Sequence, residues 1–315
     1  MGAIAAKTII SWSASDGASH DGPLISRKNG YDVIACDVCG FRHVVPLPDP
    51  DALERTYREA YYSEEKPTFL VHAGEDQEWA ELAQRDRLES FERLLPPGQR
   101  RILDIGCGPG FFLKTAKERG WTVQGLEPSR QAAEHARGLG LDIVEEFFNA
   151  TTAARLAGRY DVVHLNNVLE HVPNPLTVVR LARDLLSRSG ILCLNAPNDF
   201  TPFQESARAS LSLPEWWVAP PHHLNYFDFE SLSHVVATAG FRIAERGTSF
   251  PMEMFLLMGL DYTTNPELGL ACHNQRKRFD LGLEKAGFKE TRRAFYRALA
   301  QSGIGREAVI IAVKN

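Results

Sequence analysis

The chain has little of what would make it a secreted scaffold, a membrane protein or a polyanion binder. Its 315 residues hold only five cysteines, Cys36, Cys39, Cys107, Cys193 and Cys272. An odd and scattered set suits a reducing compartment better than a disulfide framework. No uncharged apolar run is long enough to span a bilayer, and the N-terminal Ala-Ile-Ala-Ala-Lys-Thr-Ile-Ile lacks the basic region of a secretory signal. A cytoplasmic location with no membrane partner is therefore expected. Cationic excess is also missing: 35 Lys and Arg against 40 Asp and Glu leave a net charge of −5. That excludes general nucleic-acid binding, because sequence-independent affinity for a polyanion needs a basic surface. Internal repeats and low-complexity tracts are absent, so organisation is read from hydrophobic periodicity.

What the chain does have is a glycine loop. Leu103-Asp104-Ile105-Gly106-Cys107-Gly108-Pro109-Gly110 leads from an apolar strand into a turn, and Glu127 follows in Gly125-Leu126-Glu127-Pro128-Ser129. A backbone without Cβ turns tightly and lets a ligand lie against it. An ionised Glu at the tip of a second strand can accept hydrogen bonds from both hydroxyls of a ribose. The spacing departs from a dinucleotide fingerprint, because Phe111 stands where the third glycine of G-x-G-x-x-G would fall.

Around this loop the chain divides into zones. Residues 1–48 carry two β-like runs, Tyr31–Cys36 and Phe41–Val45, that read as a hairpin stopped by Pro46-Leu47-Pro48. Residues 49–98 are helical, a lid or linker closed by Pro96-Pro97-Gly98. From 99 to 250 short apolar strands alternate with amphipathic helices, which calls for an α/β fold with a parallel sheet covered on both faces. Strands are expected near Ile102–Ile105, Thr122–Leu126, Ile143–Val144, Val162–Leu165, Ile191–Leu194 and Phe241–Arg246. Helices are expected near Phe112–Arg119, Arg130–Leu139, Leu176–Arg188 and Phe229–Ala239. A helical insertion, 251–305, precedes the last strand in 306–315.

The glycine loop, Glu127 and the segment Asn166-Asn167-Val168-Leu169-Glu170-His171-Val172-Pro173-Asn174-Pro175 together resemble the small-molecule branch of the class I S-adenosylmethionine (SAM) methyltransferases, in which an xxLEHVxxP block recurs. Leu194-Asn195-Ala196-Pro197-Asn198 and His222-His223-Leu224-Asn225-Tyr226-Phe227 are similar to later elements of that branch, seen in enzymes of ubiquinone precursors, sugars and polysaccharide intermediates. The resemblance covers about residues 100–248. It implies a Rossmann-like seven-stranded sheet whose last strand is reversed, with SAM as cofactor. Cofactor contacts carried over are Asp104, Gly106, Cys107, Gly108, Gly110, Glu127, Pro128, Phe147, Asn166, Asn167 and Val168.

The acceptor implied is a small molecule, a sugar, nucleotide sugar or polysaccharide precursor. O-methylation of an aromatic or quinone precursor is the alternative, and a non-catalytic nucleoside-binding scaffold is a third reading. His222 is the first candidate base, His223 the second and His171 the third, because imidazole titrates near working pH. Trp217, Asn225 and Tyr226 are candidate acceptor contacts, and Tyr61 and Tyr62 a candidate lid. Arg276-Lys277-Arg278 and Arg292-Arg293 read as a solvated face. Sugar-type relatives hold zinc with two Cys-x-x-Cys knuckles, whereas this chain has one, Cys36-x-x-Cys39, with His20 and His43 as the nearby nitrogens. Tetrahedral zinc needs four ligands, so no metal is expected, and Cys36 and Cys39 are ligands only if a structural zinc is present. The oligomeric state has no signal in the sequence.

Overall fold

The structure, a computed structural model, describes residues 8–14, 17–59, 74–156 and 160–315. Four N-terminal strands come first: β1 (Ile9–Ser13), β2 (Ser19–Lys28), β3 (Tyr31–Ala35) and β4 (Arg42–Val45). Two helices follow, α1 (Pro50–Arg55) and α2 (Gln77–Leu94). The core then alternates β5 (Arg101–Ile105), α3 (Phe111–Glu118), β6 (Thr122–Leu126), α4 (Arg130–Gly138), β7 (Ile143–Val144), α5 (Ala150–Arg155), β8 (Tyr160–Asn166), α6 (Pro175–Leu185) and β9 (Leu186–Pro197). Beyond it lie α7 (Pro202–Leu211), β10 (Asn225–Tyr226), α8 (Phe229–Thr238) and β11 (Phe241–Gly247). Helices α9 (Glu253–Leu257), α10 (Pro266–Lys285) and α11 (Lys289–Gln301) precede β12 (Glu307–Lys314).

The large sheet has the order β11-β12-β9-β8-β5-β6-β7. Strands β5 to β9 run parallel, while β12 is antiparallel to both β9 and β11, which is the Rossmann-like sheet with a reversed last strand. Alternation along each strand feeds two layers. Ile102, Val162 and Ile191 pack under Leu88 and Phe91 of α2 and Leu113 of α3, and Leu103, Val163 and Leu192 pack under Val179 of α6 and Leu232 of α8. Sheet order reverses at β5, whose neighbours are β6 and β8. In open α/β sheets ligands bind outside the carboxyl ends of the strands at such a point.

Three features depart from the expectations. The N-terminal hairpin is part of a five-stranded sheet, β1-β2-β3-β4-β10, in which β10 is contributed from far along the chain. Helix α6 ends at Leu185, and β9 begins at once because Leu186 pairs with Tyr160. Of the basic residues read as a solvated face, Arg276, Lys277, Arg292 and Arg293 are docking groups, and Arg278 is exposed. Arg292 is buried and pairs with Asp86 of α2 at 2.8 Å, Lys289 pairs with Glu89 at 2.7 Å, and Arg276 lies over the Trp79 ring. The Trp79 indole and the Tyr296 hydroxyl both donate to the buried Asp280 carboxylate. Ion pairs and a shared buried acceptor thus bind α10 and α11 to α2.

Gly125 on β6 leaves room for the loop beneath it. A Cβ there would lie 2.6 Å from both Cys107 Sγ and Ile143 Cδ1. Gly125→Ala is expected to cost about 1–3 kcal/mol through overpacking, read from urea unfolding; an unchanged midpoint and slope would contradict this packing.

Candidate functional site

The turn after β5 is shaped by glycines. Gly106 has φ +69° and Gly110 has φ +85°, the left-handed region that L-residues with a Cβ avoid. At Gly106 an added Cβ would also press on Val168 Cγ2 at 2.7 Å, and at Gly110 it would meet Leu141 and Ala136. Gly106 and Gly108 line the cavity, whereas Gly110 stands at the start of α3 against α4. Gly110, expected among the cofactor contacts, thus sits at the helix start and outside the cavity lining.

Glu127 joins the two halves of the loop system. One carboxylate oxygen accepts from Gly108 N–H at 2.8 Å and the other from Ser129 N–H at 2.9 Å. The group is buried, and burial pushes its pKa up to about 7 despite those two donors, with Asp104 adding to the rise. A buried carboxylate held by backbone alone has spare lone pairs, and further donors would relieve its desolvation.

A second network lies on the other side of β5. His164 of β8 is buried, stacks on Phe112 at 4.0 Å, and places Nδ1 2.7 Å from Asp104 Oδ1. Its Nε2 faces Arg87 NH1 of α2 at 3.2 Å. Since guanidinium only donates, Nε2 accepts and Nδ1–H donates to Asp104. Arg87 also donates to Asn166 Oδ1 at 2.9 Å. Arg87 and His164 were not among the residues expected from motifs, and Arg87 sits in the helical zone 49–98, where no motif marks it.

The third group is Glu170, His171 and His223, each of which offers a ligand atom within 4.8 Å of the others. His171 Nδ1 lies 2.7 Å from the His222 carbonyl, and the Tyr57 hydroxyl donates to the same oxygen at 3.1 Å. Nδ1 therefore carries the proton, which leaves Nε2 of the neutral ring as the acceptor. Glu170 Oε1 stands 3.7 Å from that Nε2. The rings of His171 and His223 meet edge to face at 5.2 Å.

These three networks line one cavity of about 1070 Å³. Asp104, Cys107, Pro128, Phe147, Asn166, Asn167, Val168 and Trp217 open onto it, as do Arg87, His171 and His223. Its wall is not formed by His222, the first candidate base, whose side chain is exposed, whereas His223, the second, lines it. Asn225 and Tyr226 do not form the wall either. Asn225 is buried and donates to Leu169 O at 2.8 Å and Val172 O at 2.7 Å, while the Tyr226 hydroxyl accepts from Ala219 N–H and donates to His223 O. Both are positioning residues that fix the histidine segments. Tyr61 and Tyr62 lie outside the described residues. Asp199, which no sequence motif marks, is a cavity-lining carboxyl with Oδ2 unpartnered among the described residues, and burial pushes its pKa up to about 8.

Comparisons with known proteins bear on the family and the fold. The family described as "Methyltransferase domain" matches residues 76–246. A ubiquinone biosynthesis O-methyltransferase of Escherichia coli O127:H6 is 40% identical over 97 residues, 29% of this chain and 40% of that protein. The protein of the same name from Actinobacillus pleuropneumoniae is 34% identical over 109 residues, 31% of this chain and 46% of that protein. The chain thus spans less than half the length of these curated relatives. Among solved structures, the plantazolicin methyltransferase BpumL superposes with a TM-score of 0.51 at 16% identity, covering 84% of this chain and 94% of that one. Magnesium protoporphyrin IX methyltransferase from Synechocystis PCC 6803 gives 0.50 at 14% identity, covering 85% and 100%. At such identities the structures establish the fold.

The contact between positions 106 and 168 generates a double-mutant test. Gly106→Ala is expected to cost about 1–2 kcal/mol from backbone strain, plus a clash that Val168→Ala removes. The double variant should therefore unfold at a higher temperature than additivity of the single changes predicts; additive losses would contradict the contact.

Proposed function

The chain belongs to the methyltransferase-domain family, and on that premise we propose that it is a SAM-dependent O-methyltransferase of an aromatic or quinone precursor. The observation that carries the reading is the single cavity joining the Glu127 clamp to the Glu170–His171–His223 group. A nucleoside held by the clamp and an acceptor beside the histidines would share one cavity. The curated relatives support the aromatic acceptor through their names. Nothing in the comparisons supports the sugar, nucleotide-sugar or polysaccharide acceptor that the motifs suggested.

The residues present fit the cofactor. Glu127 would take the ribose hydroxyls, whose donation offsets the desolvation of its carboxylate. Asp104 and Arg87, at opposite nitrogens of the His164 ring, would serve the ammonium and the carboxylate of an amino acid. Gly106 and Gly108 let the ligand lie on the backbone, and Phe147 and Pro128 flank the space as apolar walls. When bound, SAM supplies a methyl group already activated on a sulfonium.

The protein's remaining work is alignment and proton removal. His171 is held in one tautomer by the His222 carbonyl, so its Nε2 is the ring atom that would take a proton from an acceptor hydroxyl. Glu170 beside it stabilises the imidazolium that forms, and His223 closes the other side. Trp217, edge to face with Trp216 and Phe200, offers a wall suited to a flat ring. Asp199, largely protonated at neutral pH, offers an O–H donor within the same cavity.

Incubation with SAM and a panel of catechols, polyprenylated phenols and nucleotide sugars tests the acceptor: the phenols should gain the mass of one methyl, and methylation confined to the sugars would overturn the assignment. On a phenolic acceptor, His171→Ala and His223→Ala should each lower kcat by about 10²–10⁴-fold. His222→Ala keeps the carbonyl and should leave kcat unchanged; the reverse pattern would sink the base assignment. Because Glu127 titrates at about 7 and ribose donors favour its ionised form, SAM affinity should rise as pH rises through 7 and fall below it. Glu127→Gln should weaken binding and flatten that profile, as calorimetry across the range would show.

A further inference from the structure

Beyond the catalytic cavity, the small sheet gathers a second set of chemical groups. From His20 on β2, Cys36 just after β3, Cys39 in the β3–β4 turn and His43 on β4, we infer that the protein holds a structural zinc ion in a Cys2His2 site. One ligand atom from each lies within 4.8 Å of all the others.

The individual separations match a tetrahedron around zinc. With metal–sulfur bonds of about 2.3 Å and metal–nitrogen bonds of about 2.0–2.1 Å, its edges are about 3.3 Å between nitrogens and about 3.6 Å between nitrogen and sulfur. His20 Nδ1 lies 3.2 Å from His43 Nε2, 3.3 Å from Cys39 Sγ and 3.7 Å from Cys36 Sγ. The surroundings are those of a metal site as well. His43 is 3% exposed and hands its Nδ1 proton to the Val44 carbonyl at 2.9 Å, which turns the Nε2 lone pair inward, the usual outer-shell arrangement of a metal-bound imidazole. Cys39 N–H points at Cys36 Sγ and Gly40 N–H at the Cys36 carbonyl, so backbone donors close the turn around the thiolate. Trp12 and Phe41 pack on the His20 and His43 rings and screen the group from water.

The expectation of no metal counted knuckles along the chain. Here the third and fourth ligands come instead from two strands that flank the Cys-x-x-Cys turn in space. The position also gives the ion a purpose. His43 pairs with Asn225 of β10, and Val44 N–H donates to Leu224 O. The ion thus fixes the edge strand that ends the segment carrying His223 to the cavity.

The test uses the full chain purified without chelator. Elemental analysis should find about one zinc per chain, and cobalt exchange should give thiolate-to-metal charge-transfer bands with tetrahedral ligand-field absorption. Cys36→Ser and His43→Ala should each lose the metal. Should those variants fail to fold, stripping wild-type protein with a chelator should lower Tm and speed amide exchange across residues 222–226, and zinc but not magnesium should reverse both. Wild-type protein that carries less than about a tenth of an equivalent and takes up none from a zinc buffer would overturn the site. So would a Cys36–Cys39 disulfide that, once reduced, still binds no zinc.

Discussion

The site depends on one buried carboxylate. Glu127 accepts Gly108 N–H from the turn after β5 and Ser129 N–H at the start of α4, so a single side chain fastens together the two backbone segments at the point where sheet order reverses. Backbone N–H groups buried at a turn need acceptors, and here the acceptor also lines the cavity. Removing its charge would therefore disturb the loop and the binding surface together. Its pKa near 7 measures how much desolvation the fold accepts to keep it in place.

The rest of the cavity is built outward from that clamp. Strand β8 enters beside β5 and brings His164 onto Asp104 and Asn166 onto Arg87. The 3-10 turn Leu169–His171 that follows is held by both amide protons of Asn225. Asn225 belongs to the small sheet, so the histidines are positioned where two sheets meet rather than by either alone. The Asn198–Phe227 bridge reinforces the same seam. Helix α2 closes the arrangement: it gives Arg87 to the site and Asp86 and Glu89 to the insertion, which couples the insertion to the cofactor side.

Legibility in the sequence followed the range of the interactions. The glycine loop, Glu127 and the strand–helix alternation are local patterns with steric or periodic causes, and the large sheet could be drawn from them. The small sheet could not. Strand β2, Ser-His-Asp-Gly-Pro-Leu-Ile-Ser-Arg-Lys, alternates poorly because one edge meets β1 and the other a register shift with β3, and β10 is only two residues long. Side chains whose role is set by a distant partner were hidden for the same reason. Arg87 reads as helix surface until His164 is seen beside it, and Arg292 as solvated until Asp86 is. His222 and His223 are indistinguishable as neighbours in sequence; the carbonyl that His171 needs turns one outward and the other in.

The central claim is that this cavity binds SAM through the Glu127 clamp and the Asp104–His164–Arg87 network. Isothermal titration of the same protein with SAM and with NAD tests it most directly. The account predicts saturable binding of about one SAM per chain and no measurable heat from NAD; saturable binding of NAD with none of SAM would contradict it.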